Sequence, residues 1–576
     1  MEYKTDIDKL RHSCSHVMAQ AVQELWPETK VTIGPAIDNG FYYDFDRKEP
    51  FTPEDLKTIE SRMRRIIQGK PVFVQSFMPK KDAIDLFSKM KETYKVELIQ
   101  GIPDEKVSIF KTGDAWMDLC KGPHVDNAGE IKAFKLLSVA GAYWHGDEKN
   151  PMLQRIYGTC FPTEKELKEY LQLLEEAKNR DHRKLGIQLD LFNVYHETAG
   201  AGLIFYHPNG AMLRKIIEDY VRAQHMKHGY DFVSTPHILK GKLWEQSGHA
   251  EYYRENMYYF KTENEEYAVK PMNCPGHMLI YKSKIRSYRD LPVRFFELGT
   301  VYRQEKAGVL HGLLRVRGFT QDDAHIFCRP DQVKAEVINV VDFVFETMND
   351  FGFKDMDIEV STRPAKFIGT EENWNTATQA LEESLKERKL SYKINEGDGA
   401  FYGPKIDIKL KDALGRQWQC ATIQCDFALP ERFELEYVDE TGKAVRPIML
   451  HRAILGSLER FIGTLIEHYA GAFPLWLAPV QIAIIPISES HHDYGVKVKE
   501  DLQKEGFRVI IDQSHETLNK RIREATTKKV PYVLIVGDKE ASSGKVAVRK
   551  RVVGDEGSVD LKEFIVRLKK EEEEKI

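Results

Sequence analysis

The sequence predicts a multidomain protein that combines α+β and α/β folds, on three observations. Its 576 residues exceed what one hydrophobic core organises, and at about 150 residues per domain they make three or four domains. A run from Thr163 to Arg183, rich in Glu, Lys and Leu and free of Pro and Gly, reads as a helix joining the regions on either side of it. Beyond a Pro-bearing stretch at 473–479, short β-branched runs alternate with amphipathic segments, the pattern of parallel strands with crossover helices.

In chain order, residues 1–162 mix short strands such as Phe41 to Phe45 with an amphipathic helix from Pro53 to Gln68, which makes an α+β domain. Residues 163–185 form the connecting helix. Residues 186–474 are a long mixed region whose strands include Val293 to Glu305 and Leu314 to Phe327. Residues 475–576 are the α/β domain, with strands expected at 481–487, 508–511 and 532–536 and a solvated tail from Glu571.

With 42% hydrophobic and 30% charged residues the composition is that of a soluble globular protein, and no apolar run approaches the ~18 residues of a membrane span. The first residues are charged and lack the apolar stretch of a secretory signal. Seven scattered cysteines do not resemble a disulfide framework, so a reducing cytoplasm is expected. The net charge of −5 is not that of a strongly basic nucleic-acid binder. Charge is uneven, however: from Thr517 to Arg551 ten Lys or Arg stand against three acidic residues. That segment either holds phosphates or is a solvated helical face.

Chemistry concentrates in the central region. If Val293 to Glu305 is one strand, Arg303 and Glu305 share a face at its end. After a loop with Gly308 and Gly312, the next strand alternates Phe319, Gln321, Asp323 and His325 onto a single face. An aromatic ring, an amide, a carboxylate and an imidazole in a row point to a site rather than a solvated hairpin. Further on, Gly456 sits at a strand-to-helix corner with Arg460 just inside the helix, where a helix N-terminus and a guanidinium can bind phosphate together.

These segments resemble the three signature motifs of class II aminoacyl-tRNA synthetases. The first is a helix followed by a strand from Tyr230 to Pro236. The second is Arg294 to Glu297 with Arg303 and its hairpin, and the third runs from Gly456 to Arg460. The likeness narrows to threonyl-tRNA synthetases at the runs 272–277, 318–325 and 451–457. It implies an antiparallel-sheet catalytic domain, ATP, L-threonine and threonine tRNA as substrates, magnesium with the ATP, and a homodimer joined through the first motif. Position by position it implies Arg303 on the α-phosphate, Arg460 on the outer phosphates, Glu305 on the adenine amino group and Phe319 stacked on its ring. Gln321, Asp323, Tyr402 and Gln424 would line the amino-acid pocket.

The same resemblance implies one catalytic zinc held by Cys274, His325 and His451, whose sequence separations match no local zinc-finger spacing. Zinc answers a discrimination problem. An apolar pocket separates a hydroxyl from a methyl by only about a hundredfold, whereas a site that binds the hydroxyl reaches ~10⁴ to 10⁵. Valine is thereby excluded, but serine, lacking one methyl, costs only roughly 1–3 kcal/mol and calls for a second, hydrolytic site.

Residues 11–16 supply that site with His12 and His16 at i and i+4, and residues 118–124 with Asp118, Cys120 and His124 at a turn. The pattern resembles the editing domain of threonyl and alanyl enzymes, which adds Lys95 to the set and uses no metal. Similarly, 475–576 resembles an anticodon-binding domain, with Glu540 and Arg549 on anticodon bases. The family usually carries a small ubiquitin-like domain ahead of the editing domain, and the residues before His12 leave no room for one. A non-catalytic RNA-binding regulator on the same scaffold could dispense with Arg303, Arg460 or a zinc ligand. All are present.

Overall fold

The computed structural model describes residues 5–575 and divides them into two compact units, 1–176 and 177–576, the division falling inside the helix Glu164–Arg180. Thr163 and Glu166 cap this helix reciprocally, with Glu166 N–H on Thr163 Oγ1 at 3.2 Å and Thr163 N–H on Glu166 Oε2 at 3.0 Å. The helix stops at Arg180, and a separate one, His182–Gln188, begins after Asp181, whose carboxylate accepts from the Arg183 amide.

In the first unit, Thr52 and Asp55 cap helix Pro53–Gln68 as its sequence suggests. Helix Asp6–Leu25, capped by Thr5 and Asp8, is buried along most of its length. It packs with Phe41, Tyr43 and Phe45 of strand Gly40–Asp46, in a sheet that continues through Met152–Phe161 to Ala133–Tyr143. A second, antiparallel sheet runs Phe73–Pro79, Lys106–Thr112, Trp116–Leu119. One of its faces is covered by helices Lys80–Lys89 and Thr93–Gly101 through Val107, Ile109, Ala83, Phe87 and Ile99. The other turns toward helix Asp6–Leu25, with Phe73, Phe110 and Trp116 joining the main core.

The second unit holds an eight-stranded sheet in the order Asp231–Phe232, Val293–Tyr302, Gly318–Cys328, Ile448–Ser457, Gln417–Asp426, Lys405–Lys411, Met356–Ser361, Lys393–Asn395. All pairings are antiparallel except those of the two outermost strands. Two expectations change here. The strand read from Tyr230 to Pro236 pairs only at Asp231 and Phe232, because Thr235 turns its amide and hydroxyl onto the Glu297 carboxylate at 2.9 and 2.7 Å. The strand read from Val293 to Glu305 ends at Tyr302, where the Arg303 amide donates to Arg317 O at 2.8 Å and the Glu305 amide to Arg303 O at 2.9 Å. Arg303 and Glu305 therefore lie on a turn and not on one face of a strand.

The C-terminal part of this unit carries parallel strands Val509–Ile511, Ile482–Pro486 and Tyr532–Val536, as expected, extended by antiparallel Lys545–Lys550 and Gly554–Asp560. Two members of its basic segment are turned inward. Arg521 is buried on Pro486 O and Asp512 O, and Arg551 bonds Ala472 O and Phe473 O, so both guanidinia satisfy backbone carbonyls. Among the described residues no helix is long and apolar enough to cross a membrane.

Candidate functional site

Two strands and a helix bring Cys274, His325 and His451 together, with ligand atoms all within 4.8 Å of one another. His325 and His451 are cross-strand partners, and Cys274 opens helix Cys274–Lys282. Two hydrogen bonds and a longer carboxylate contact set the tautomers. Asp426 Oδ2 lies 2.8 Å from His451 Nε2, which places the proton there and leaves Nδ1 with a lone pair. On the other side Glu297 Oε1 lies 3.4 Å from His277 Nε2, and His277 Nδ1 lies 2.8 Å from His325 Nδ1. A proton on His277 Nε2 makes its Nδ1 an acceptor, so His325 donates through Nδ1 and its Nε2 is also bare. The two bare nitrogens, His325 Nε2 and His451 Nδ1, face each other at 3.0 Å. Burial holds His325 well below the ordinary histidine range, so a proton does not bridge them. Two opposed lone pairs beside a buried thiol are the arrangement a cation resolves, and a Cys/His/His donor set with open positions suits zinc.

Around this cluster stand the expected pocket residues. Gln424 is the cross-strand neighbour of His451, and the Tyr402 ring lies 5.0 Å from the His451 ring. Asp323 accepts from Asn273 at 2.9 Å and has an oxygen 3.9 Å from His325 Nε2. Gln321 is two residues along the same strand, partly exposed, while the intervening Asp322 points the other way and is buried.

The second group lies where that strand leads. The Arg303 guanidinium sits 5.0 Å from the centre of the Phe319 ring and donates to Pro271 O at 3.3 Å. Glu305 accepts from Arg315 at 2.9 and 3.1 Å. Arg460, whose amide donates to the capping Ser457 hydroxyl at 3.1 Å, donates its Nε to Leu314 O at 3.2 Å. Burial lowers the Arg460 pKa, and the nearby Arg303 and Arg315 push the same way. Three guanidinia gathered near the start of helix Leu458–His468 are chemically suited to a polyanion.

Sequence reasoning missed Asp322. The strand Ile448–Ser457 bulges between its pairings at 453 and 457, and the Asp322 carboxylate fills the bulge, accepting from the amides of Ile454, Leu455 and Gly456 at 2.8, 3.0 and 2.9 Å. Gly456, at φ +80°, then turns the chain into Arg460. His277 and Glu297 fall within the motif runs, but their role beside His325 was missed, although Cys274 and His277 at i and i+3 share one helical face. Nothing local in sequence marks Asp426 or Asp322.

In the first unit, His12, His16, Cys120 and His124 also bring ligand atoms within 4.8 Å. Cys120 Sγ lies 3.0 Å from His12 Nε2 and 3.3 Å from His124 Nε2, and accepts the Gly122 amide at 3.2 Å. Ser13 donates to Lys9 O, so its oxygen accepts His124 Nδ1–H at 3.1 Å and leaves His124 Nε2 bare. The thiol can donate to that nitrogen, and the Gly34 carbonyl lies beside the His12 ring. Burial raises Cys120 to about 12 and lowers His12 to about 4 and His124 to about 2, so thiol and imidazoles are all neutral.

Beside them Lys95, 1% exposed, is paired with Asp118 and lies 3.0 Å from the Tyr43 hydroxyl, which donates to Asp118 at 2.5 Å. Tyr43 is a member of this site that no sequence pattern singles out. Glu540 and Arg549 lie elsewhere, in the C-terminal sheet region. Glu540 accepts from the Gly537 amide at 3.2 Å and from Ser558 at 3.4 Å, and Arg549 sits 3.6 Å from Asp555.

Residues 258–469 match the class II tRNA synthetase core domain (G, H, P, S and T), 481–571 the anticodon binding domain, and 107–157 the second additional domain of threonyl and alanyl tRNA synthetases. The chain is 56% identical over 556 residues to the threonine–tRNA ligase of Oleidesulfovibrio alaskensis, covering 96% of this chain and 86% of that one. It is 58% identical over 542 residues to that of Pelobacter propionicus, covering 94% and 85%. A crystal structure of the RNA binding domain of threonyl-tRNA synthetase from Cryptosporidium parvum Iowa II resembles it with TM-score 0.66 and 43% identity, over 68% of this chain and 98% of that one.

Proposed function

The chain belongs to the threonine–tRNA ligases, and from that membership we propose that its two buried clusters divide the work, one building threonyl-tRNA and the other hydrolysing seryl-tRNA made in error. ATP-dependent ligation of threonine to tRNA is its reaction. The domains we assign are editing at 1–162, a connecting segment at 163–185 whose helix ends at Arg180, catalysis at 186–474 and anticodon binding at 475–576, with Glu540 and Arg549 on the anticodon. Seven free thiols suit a reducing compartment, and we place the enzyme in the cytoplasm.

In the synthetic site ATP enters as its magnesium complex. Arg303 takes the α-phosphate and Arg460 the outer phosphates, while the adenine lies on Phe319 near the Glu305–Arg315 pair. The threonine carboxylate attacks the α-phosphorus, and pyrophosphate leaves. No side chain forms a covalent bond. The two guanidinia stabilise charge that develops on the phosphoryl oxygens, at positions already fixed by Ser457, Leu314 O and Pro271 O. Cys274, His325 and His451 would hold one zinc ion, which when bound supplies a Lewis acid with open positions for the amine and hydroxyl of threonine. Asp323, held by Asn273, faces the amine, and Gln321, Tyr402 and Gln424 close the pocket around the side chain.

In the editing site a water molecule held among His12, His16, Cys120 and His124 attacks the seryl ester carbon. Its proton passes to a neutral imidazole and the ribose oxygen leaves protonated. Lys95, held in place by Asp118 and Tyr43, donates a hydrogen bond from its ammonium group to the carbonyl oxygen.

The observation that carries the synthetic reading is the pair of lone pairs at 3.0 Å beside Cys274. Threonine-dependent ATP–pyrophosphate exchange, with serine and valine as comparators, tests it. Exchange with threonine, weaker exchange with serine and almost none with valine is expected. Equal exchange with valine would refute a hydroxyl-reading metal site.

A further inference from the structure

The three-stranded sheet of the first unit presents the editing residues on one face, and that face does not end with them. Phe110 pairs with Asp118 on one side and Gln75 on the other. Cross-strand partners share a face, so Gln75, Phe110 and Asp118 form one row and, two residues along, Phe77, Ser108 and Cys120 form the next. Phe77 pairs with Ser108, and the Cys120 amide donates to Ser108 O at 3.1 Å, which continues the ladder into that second row. Gln75 Nε2 donates to Ser108 Oγ at 2.9 Å, in keeping with the shared face. At the inner end of the edge strand Phe73 is buried and stacks on His124 at 4.9 Å and 7°, while at its outer end Phe77 is 66% exposed.

We propose that Phe77 is a stacking platform for the terminal base of the tRNA during editing. The inference rests on the editing reading of the Cys120 cluster. Two strand spacings of about 4.8 Å put Phe77 about 10 Å from Cys120 along the same face. The substrate has a matching reach: its ester sits on the terminal ribose, and the base of that nucleotide projects from the far side of the sugar. A cluster that binds only the seryl group and water leaves the base to be held by something beside it. An exposed ring needs no hydrogen-bond pattern to do this, since every base offers a π face. A protein partner on this strand is the alternative occupant, and the continuity of the face with the cluster favours the nucleotide.

The test uses the full chain and its Phe77→Ala and Phe77→Trp variants. Deacylation of seryl-tRNA is measured alongside fluorescence of a tRNA carrying 2-aminopurine as its terminal base and a non-hydrolysable seryl amide. Phe77→Ala should raise KM for seryl-tRNA by about tenfold and abolish the quenching seen with the parent, with Phe77→Trp restoring both. Threonine activation should be unchanged in either variant. If the parent clears seryl-tRNA and Phe77→Ala does so with the same KM and the same quenching, the platform is refuted and the editing reading stands. If the parent itself does not clear seryl-tRNA, both fall.

Discussion

The thiol of Cys120 stands between two imidazoles whose protonation burial has already decided. A histidine at its ordinary value of about 6.5 would lose half its basic form at that pH, and hydrolysis depending on it would fall in step. With His12 lowered to about 4 and His124 to about 2, the neutral forms persist through mildly acidic solution. Seryl-tRNA deacylation should therefore stay level from about pH 7.5 down to about pH 5 and decline only toward about pH 4, where His12 gains its proton. A rate already halved near pH ~6.5 would show that His12 titrates normally and that its burial does not set the chemistry. Replacing His12 and His16 together by Ala should slow serine clearance by roughly 10²- to 10³-fold and leave threonine activation intact. Clearance equal to the parent's in a deacylation assay would end the assignment of this cluster to editing.

The strand Ile448–Ser457 and the helix after it depend on one carboxylate neither carries. Asp322 accepts three successive amides of the bulge that leads into Gly456, and Ile454 and Leu455 beside it belong to the catalytic core. Removing it leaves three buried donors without acceptors, each costing about 1–3 kcal/mol if unrelieved. Asp322→Ala should lower the thermal midpoint and, by loosening the corner ahead of Arg460, cut kcat for threonine-dependent exchange by at least about tenfold. A variant with parental kcat would show that Arg460 is held by Ser457 and Leu314 O alone. This element also shows how far local signals reach. Gly456 and Arg460 could be placed at a strand-to-helix corner because Gly and the helix start are local signals. Helix Pro53–Gln68 and the parallel strands of the C-terminal part were readable for the same reason. The bulge was hidden, since its anchor arrives from another strand 132 residues away. Arg303 and Glu305 were placed on a strand because β-branched and aromatic content ran up to them, whereas the chain turns at Arg317 O, a long-range partner that periodicity does not reveal. The residues proposed to hold zinc came from resemblance alone, and the two carboxylates beside their imidazole network, Asp426 and Glu297, from the structure.

At the scale of the whole molecule, the edge of the catalytic sheet is left open in a single chain. Strand Asp231–Phe232 is outermost with Phe232 exposed, and Met212 and Met226 of the preceding helix Pro208–Lys227 are exposed as well. A second copy covering that edge explains it, because an open strand edge with exposed apolar side chains invites pairing. Sedimentation of the active enzyme should give twice the chain mass, and an active monomer would refute the dimer. Metal content is the other whole-molecule quantity, and the two buried clusters make opposite demands on it. At Cys274 the carboxylates Asp426 and Glu297 drive protons outward and leave two lone pairs opposed, which a divalent cation relieves. At Cys120, Ser13 fixes the His124 tautomer so that the thiol has an acceptor in His124 Nε2. The Lys95 charge adds little against a cation there, because Asp118 already neutralises it. The deciding difference is chemical: reading a hydroxyl against a methyl calls for a Lewis acid, whereas ester hydrolysis can proceed by positioned acid–base groups and a water. Elemental analysis of dialysed protein should give close to one zinc per chain, lost in Cys274→Ser and retained in Cys120→Ser. Two zincs per chain, one lost with each substitution, would mean that the editing cluster is also a metal centre and that its water is activated by the ion and not by a neutral histidine.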